Sequence, residues 1–184
     1  MLKNISTWLI KIARWPFVLT GFLFQPDQRI NSFIEIKLGQ LWERGYRGII
    51  LDLDNTILPR KEKLLNSDFV KWLEGAQKMG FQLAIVSNNF KKKRLINVFA
   101  QTRLVVVNPA FKPLPFGFQI ALRKIKIPAR RIIVIGDQLT TDILGGRILG
   151  SYTILTEPLY LETNPFRKFV QDFDGIFREL FLKK

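Results

Sequence analysis

From residue 48 onward, the chain alternates short, unbroken apolar runs with stretches of helical spacing. Gly48-Ile49-Ile50-Leu51-Asp52-Leu53 is the first run; Leu83-Ala84-Ile85-Val86, 104–107, 131–135 and 152–155 follow. Runs without polar alternation predict strands buried on both faces. Between the first two runs, Phe69, Leu73 and Ala76 recur at helical spacing, with Ser67 as the expected N-cap and Gly80 as the stop. Further helices are predicted from about Lys91, over 115–126 and over 141–149. Strands alternating with helices predict an α/β domain: a three-layer, Rossmann-like parallel sheet with helices on both faces.

The two ends follow other patterns. In residues 2–15, Ile5, Trp8, Ile12 and Trp15 fall at 3–4 spacing, as do the polar Lys3, Thr7, Lys11 and Arg14. This predicts an amphipathic basic helix, lying in a bilayer interface or packed on the core. The uncharged stretch that follows, to Pro26, has an apolar part of about ten residues, where a spanning helix needs about 20. No small-x-small cleavage site follows it, so a secretory signal is not expected. The chain therefore divides into an N-terminal amphipathic and apolar segment, 1–25, and a domain over 26–184. Near the other end, Phe166, Phe169, Phe173, Phe177 and Leu180 repeat at helical spacing. Core or dimer packing is the default for that face, with membrane contact as the alternative, and Asp174-Gly175 is expected to interrupt the helix.

Composition narrows the chemistry. The chain has 184 residues, 47% of them apolar, which suits one domain with a real core and excludes disorder. It has no cysteine and no histidine. Disulfides, Cys or His zinc sites, cysteine nucleophiles and Ser-His-Asp triads are thereby excluded. Lys plus Arg number 29 against 15 Asp plus Glu, a net charge of +14. The surplus is +4 over residues 1–47, +4 over 48–101 and +6 over 102–184, so it is no basic tail on a neutral body. Such a chain favours anionic partners: nucleic acid, acidic headgroups or phosphorylated substrates.

In folds of this class, ligands bind beyond the carboxyl ends of the strands. Asp52, Asp54 and Thr56 follow the first run; Ser87, Asn88 and Asn89 follow the second. Asn108 to Lys112 follow the third, then Gly136, Asp137 and Asp142 the fourth. Two carboxylates two residues apart at the end of a buried strand are costly unless a cation lies between them. A hard divalent ion such as Mg²⁺ is the natural answer, and Asp137 and Asp142 would complete an oxygen-rich site. Phosphoryl transfer fits this set. A carboxylate can form an aspartyl-phosphate, Lys112 and Ser87 can steady the phosphoryl oxygens, and Asp54 can protonate the leaving oxygen and later activate water.

At these residues the chain resembles the haloacid dehalogenase (HAD) superfamily of phosphatases. The motifs read Asp52-Leu53-Asp54-Asn55-Thr56, Ser87, Lys112, and Gly136-Asp137 with Asp142, in the family's order. The resemblance implies Asp52 as nucleophile, Asp54 as acid/base, and Ser87 and Lys112 on the phosphoryl group. It implies Mg²⁺ held by Asp52, Asp137 and the backbone carbonyl of Asp54, with Asp142 as an outer or water-mediated partner. Thr56, Asn88 and Asn89 are expected to meet substrate. More closely, Val86-Ser87-Asn88-Asn89, Ala110-Phe111-Lys112-Pro113 and the stretch from Gly136-Asp137-Gln138 to Gly145-Gly146 look like the YqeG-type subfamily, which is similar to the mitochondrial phosphatidylglycerophosphatases. The similarity runs from about Pro26 to Pro158. It departs after the paired glycines, where members often carry Asn-Arg and this chain has Arg147-Ile148.

Neither the interval from Leu58 to Leu83 nor that from Asn89 to Val107 leaves room for a large cap domain. An open site suits a phosphate presented on something large. The expected activity is therefore a Mg²⁺-dependent phosphomonoester hydrolase acting on phosphatidylglycerophosphate. It would work as a cytoplasmic protein, peripheral on the inner face of a membrane with anionic phospholipid as partner. A nucleic-acid end phosphatase, and a non-catalytic binding protein on the same fold, are the alternatives; the aromatics are not interleaved with the basic runs as a base-stacking surface would require.

Overall fold

The computed structural model describes residues 21–59, 62, 64–89, 98, 99, 102 and 104–182. Its centre is one six-stranded sheet of order β1-β6-β5-β2-β3-β4, with every neighbouring pair parallel. The strands are β1 (Gln28–Ile30), β2 (Gly48–Leu51), β3 (Gln82–Val86), β4 (Val105–Val107), β5 (Ile132–Gly136) and β6 (Tyr152–Thr156). Five of them are the runs anticipated from the sequence. Because β2 is central, both its faces are dry, and alternate residues feed two cores. Ile49 and Leu51 join Leu83, Ile85, Ile133 and Ile135 on one side, under helix α2 (Ser67–Lys78) with Phe69, Leu73 and Ala76. Ile50 joins Ala84, Val86, Ile132 and Val134 on the other, under α3 (Pro115–Ile125) with Phe118, Ala121 and Ile125. Gly48 opens β2 because a Cβ there would stand 2.3 Å from Ile132 Cδ1.

Several expectations are corrected. The cap of α2 is Asn66, not Ser67; its side chain accepts from Asp68 N at 2.8 Å, and Ser67 is already helical. The helix foreseen over 141–149 begins earlier, as a wide π-type turn over Leu139–Ile143 that runs into α4 (Leu144–Leu149). Two elements were not anticipated: the edge strand β1, and the short helix α1 (Leu38–Glu43). The helix foreseen from Lys91 and the amphipathic pattern of 2–15 lie outside the described residues. Only residues 52–66 separate β2 from α2, so no large cap domain is inserted there. Among the described residues, no helix is long and apolar enough to cross a membrane.

The terminal helix α5 (Pro165–Leu182) runs unbroken through Asp174-Gly175, contrary to expectation. Asp174 is buried and faces inward. It accepts from Thr140 N and Thr140 Oγ1, both at 2.8 Å, and from Arg178 Nε at 3.2 Å. An inward carboxylate thus joins the helix to the π-type turn instead of breaking it. Phe177 and Leu182 pack with Phe24 against Leu139, Ile143 and Leu155, while Phe166, Phe169, Phe173, Ile176 and Leu180 face outward, exposed. The five residues grouped by sequence spacing therefore divide between two faces. Asp174→Ala would leave the Thr140 donors unpaired, and is expected to cost about 2 kcal/mol of stability. Urea unfolding of variant and parent checks this.

Candidate active site

The site is built where β2 ends. Asp52 N donates to Ile135 O at 2.9 Å, which extends the strand ladder by one bond. The chain then folds tightly: Ile57 N and Leu58 N both donate to Leu53 O at 3.1 Å. Asn55 takes the left-handed conformation (φ 72°) that this turn requires and asparagine tolerates. Its side chain is latched to the loop after β6, accepting from Tyr160 N at 3.2 Å and donating to Tyr160 O at 3.0 Å. Asp52, Asp54 and Thr56 are all buried in this turn.

The neighbouring strand ends bring in the rest. After β3, Ser87 Oγ accepts from Asn89 N at 3.1 Å, and Asn89 Nδ2 donates to Asp54 Oδ2 at 2.6 Å. Asn88 grips the backbone of Lys112 on both sides, accepting from its N–H at 2.8 Å and donating to its carbonyl at 3.0 Å. Gly117 lets α3 approach the loop before Lys112, since a Cβ there would lie 2.6 Å from Ala110 O. So held, Lys112 places its ammonium 2.5 Å from Asp52 Oδ1 and 2.6 Å from Asp142 Oδ1. After β5, Thr56 Oγ1 donates to Asp137 Oδ1 at 2.9 Å and lies 3.4 Å from Asp52 Oδ2. Gln138 N donates to Asp142 Oδ2 at 3.1 Å. Glycine at 136 is obligatory, because a Cβ would stand 2.2 Å from Asp142 Cγ.

Asp52, Asp137 and Asp142 each offer an oxygen within 4.8 Å of the others. Three buried carboxylates thus face one buried ammonium. Burial pushes Asp52 up to about 7; Lys112 opposes the rise, while Asp142 and Asp54 add to it. Burial, then the charges of Asp52 and Asp142, holds Asp137 well above the usual carboxylate range. Burial alone would lower Lys112, but Asp142 and Asp52 outweigh it and raise it. An all-oxygen donor set with more negative charge than its lysine can balance fits a hard divalent cation such as Mg²⁺.

Of the nine residues singled out from the sequence, eight are buried in or beside this cluster, and the ninth, Asn88, is exposed at its edge. Thr56, Asn88 and Asn89, expected to meet substrate, hold Asp137, the Lys112 backbone and Asp54. The Asp54 carboxylate turns to Asn89 and is not part of the three-carboxylate group. Asp142, expected at the margin, is within it. Ser87 gives its oxygen to Asn89 N, and no described acceptor takes its proton. Two supports went unforeseen: the Asn55–Tyr160 latch, and Arg178, whose Nη2 donates to Asp137 O at 2.5 Å and to Thr156 O at 3.3 Å. The i,i+4 spacing of Asp174 and Arg178 was the available signal for the second.

Residues 60–150 match the family described as haloacid dehalogenase-like hydrolase. The chain is 34% identical over 137 residues to the "Probable phosphatase YqeG" of Bacillus subtilis, covering 74% of this chain and 78% of that protein. Among solved structures, an uncharacterized protein from Corynebacterium glutamicum aligns with a TM-score of 0.48 at 23% identity, over 72% of this chain and 96% of its own. One from Listeria monocytogenes serotype 4b aligns at 0.48 and 16%, over 69% and 99%.

The repulsion in the cluster has a measurable sign. A carboxylate whose folded pKa exceeds its unfolded value stabilises fully below the unfolded value near 3.8, and that contribution is lost as pH rises through the folded value, about 7 for Asp52. Asp137→Asn keeps an acceptor for Thr56 and removes one charge. In metal-free buffer it is expected to be more stable than the parent at neutral pH by about 1 kcal/mol. The difference should grow as pH rises from about 4 to about 7, and urea midpoints at several pH values check it.

Proposed function

The chain belongs to the haloacid dehalogenase-like hydrolases and is a phosphatase of that family, and on that premise we propose that it hydrolyses phosphatidylglycerophosphate at a membrane surface in a magnesium-dependent reaction. The observation that carries the chemistry is the Lys112 ammonium, set 2.5 Å from Asp52 Oδ1 among buried side chains. It fixes the attacking carboxylate and stands where a phosphoryl oxygen must be neutralised.

An Asp52 oxygen attacks phosphorus; the bond from phosphorus to the lipid oxygen breaks, and that oxygen takes a proton from Asp54. A water then gives its proton to Asp54 and attacks the phosphoryl group. Inorganic phosphate leaves and the Asp52 carboxylate is restored. The Ser87 proton and the Lys112 ammonium steady the phosphoryl oxygens through both steps. Asn89 holds Asp54 in place, and Thr56 orients Asp137. Asp52, Asp137 and Asp142, with the backbone carbonyl of Asp54, are the groups to hold Mg²⁺. When bound, the ion supplies positive charge that offsets the crowded carboxylates and the phosphoryl oxygens.

The lipid substrate is supported by the short interval between β2 and α2, which holds no large cap, the surplus of +14 and the resemblance to phosphatidylglycerophosphatases. The aromatic, basic pattern of residues 2–15 fits reversible anchoring on anionic lipid.

Phosphate release with Mg²⁺ from phosphatidylglycerophosphate vesicles, 5′-phosphorylated oligonucleotides and small esters tests the substrate. Turnover is expected to be fastest on the vesicles; faster turnover of the oligonucleotide would overturn the lipid reading. Asp52→Asn is expected to lower every activity by roughly a thousandfold or more. A second measurement concerns the metal: Mg²⁺ should raise the Tm of the parent and raise that of Asp137→Asn much less.

A further inference from the structure

Three polar side chains on one face of α5 reach the catalytic end of the sheet. Gln171, Asp174 and Arg178 stand at i, i+3 and i+7, one above the other along the helix. Gln171 Nε2 donates to Tyr160 O at 3.3 Å, and its Oε1 accepts from Glu162 N at 2.9 Å. It thereby steadies the loop whose Tyr160 is latched to Asn55, beside Asp54. Asp174 holds Thr140, three residues beyond Asp137. Arg178 reaches Asp137 itself.

Arg178 acts where β5 and β6 part. Their register ends at Gly136 with Leu155, so Asp137 and Thr156 are the next rung. Arg178 Nη2 donates to both carbonyls of that rung, to Asp137 O at 2.5 Å and to Thr156 O at 3.3 Å. A guanidinium thus takes the place of the ladder bond at the point where the chain leaves the sheet. On the other side of β5, Asp52 N on Ile135 O closes the ladder towards the nucleophile. Arg178 is kept in place by its own partners, with Nε 3.2 Å from Asp174 Oδ2 and Nη1 3.0 Å from Glu157 Oε2. Those two carboxylates take up its charge, and its bond to Asp137 goes to the carbonyl. It is therefore no counter-ion for the buried cluster; it aims the residue that carries one of the three carboxylates.

We propose that Arg178 is a positioning residue for the magnesium site: by pinning the Asp137 carbonyl to the end of β6 it fixes the Asp137 carboxylate beside Asp52 and Asp142, so that the terminal helix sets the affinity for the ion. This rests on the magnesium part of the reading above and is independent of which phosphate ester is cleaved. Groups that orient metal ligands from behind typically change affinity by about 10–100-fold when removed. Arg178 acts only through the Asp137 backbone and touches none of the reacting groups.

The test uses three variants of the full chain. Arg178→Lys keeps the charge beside Asp174 and Glu157 but replaces a rigid fork of donors with a single point donor. Arg178→Ala removes both. Glu157→Gln is the control, since it weakens the Nη1 pair without touching either carbonyl. Calorimetric titration with Mg²⁺ measures binding in the absence of substrate. Release of phosphate from p-nitrophenyl phosphate over a Mg²⁺ series then separates the half-saturating concentration from the rate at saturation.

Arg178→Ala is expected to bind Mg²⁺ at least about tenfold more weakly than the parent, with Arg178→Lys in between and Glu157→Gln within about twofold of the parent. Half-saturating Mg²⁺ should rise in step, while the rate at saturation stays within about threefold of the parent's. Guanidinium ion, far below unfolding concentrations, should restore part of the affinity of Arg178→Ala and leave the parent unchanged. Parental Mg²⁺ affinity in Arg178→Lys and Arg178→Ala would overturn the positioning role and leave the magnesium site standing; if the alanine variant does not fold, the lysine variant decides alone. A parent that binds no Mg²⁺ and works without it would overturn the metal reading and the positioning role with it. Lower saturated rates with unchanged half-saturating Mg²⁺ would mean that Arg178 serves the fold or the chemistry, and would also overturn it.

Discussion

The rest of the molecule is arranged around an excess of negative charge at the end of a strand that water cannot reach. Asp52 and Asp142 share one ammonium with Asp137 close beside them, in a place where two like charges 4 Å apart repel by about 4 kcal/mol even at an effective dielectric of 20. That repulsion must be balanced by structure. The apolar strands beneath the cluster cannot yield, because β2 is packed on both faces. The balance therefore comes from above: Lys112 held by Asn88, Thr56 on Asp137, the Gln138 amide on Asp142, and Arg178 on the Asp137 carbonyl. Gly136 makes room for the Asp142 carboxylate in the same crowded space.

What could be read from the sequence follows from the length and regularity of each signal. Five strands are unbroken apolar runs, and the chemistry-bearing residues stand immediately after them, so sheet and site were both legible. β1 was not. It is three residues long, carries a charged Arg29 at its centre, and exists because it pairs with β6, which lies far away in sequence. Asp174 misled for a related reason. A carboxylate beside a glycine is a helix breaker by local preference, and only the nearby Thr140 donors, supplied by another element, reverse that preference. Thr56, Asn88 and Asn89 stand beside the cluster as their spacing indicated, while their hydrogen-bond partners within it, Asp137, the Lys112 backbone and Asp54, could not be read from spacing, which indicates proximity but not the direction of a hydrogen bond.

The Arg178 link also bears on how the protein is made. Asp27 near the start of the chain bonds to Thr153, 126 residues later, and β1 can join the sheet only after β6 exists. The Asp137 loop gains its last support only when residue 178 has been added. During synthesis, which proceeds from the N-terminus at about 5–20 residues per second, an unpaired strand and an incompletely braced acidic pocket therefore coexist for about 1–3 seconds, while the chain grows from residue 142 to residue 156. A ribosome carrying this chain bears a nearly complete sheet whose site is not yet supported on all sides. Support of the catalytic loop thus waits until residue 178 has been made, long after the loop itself.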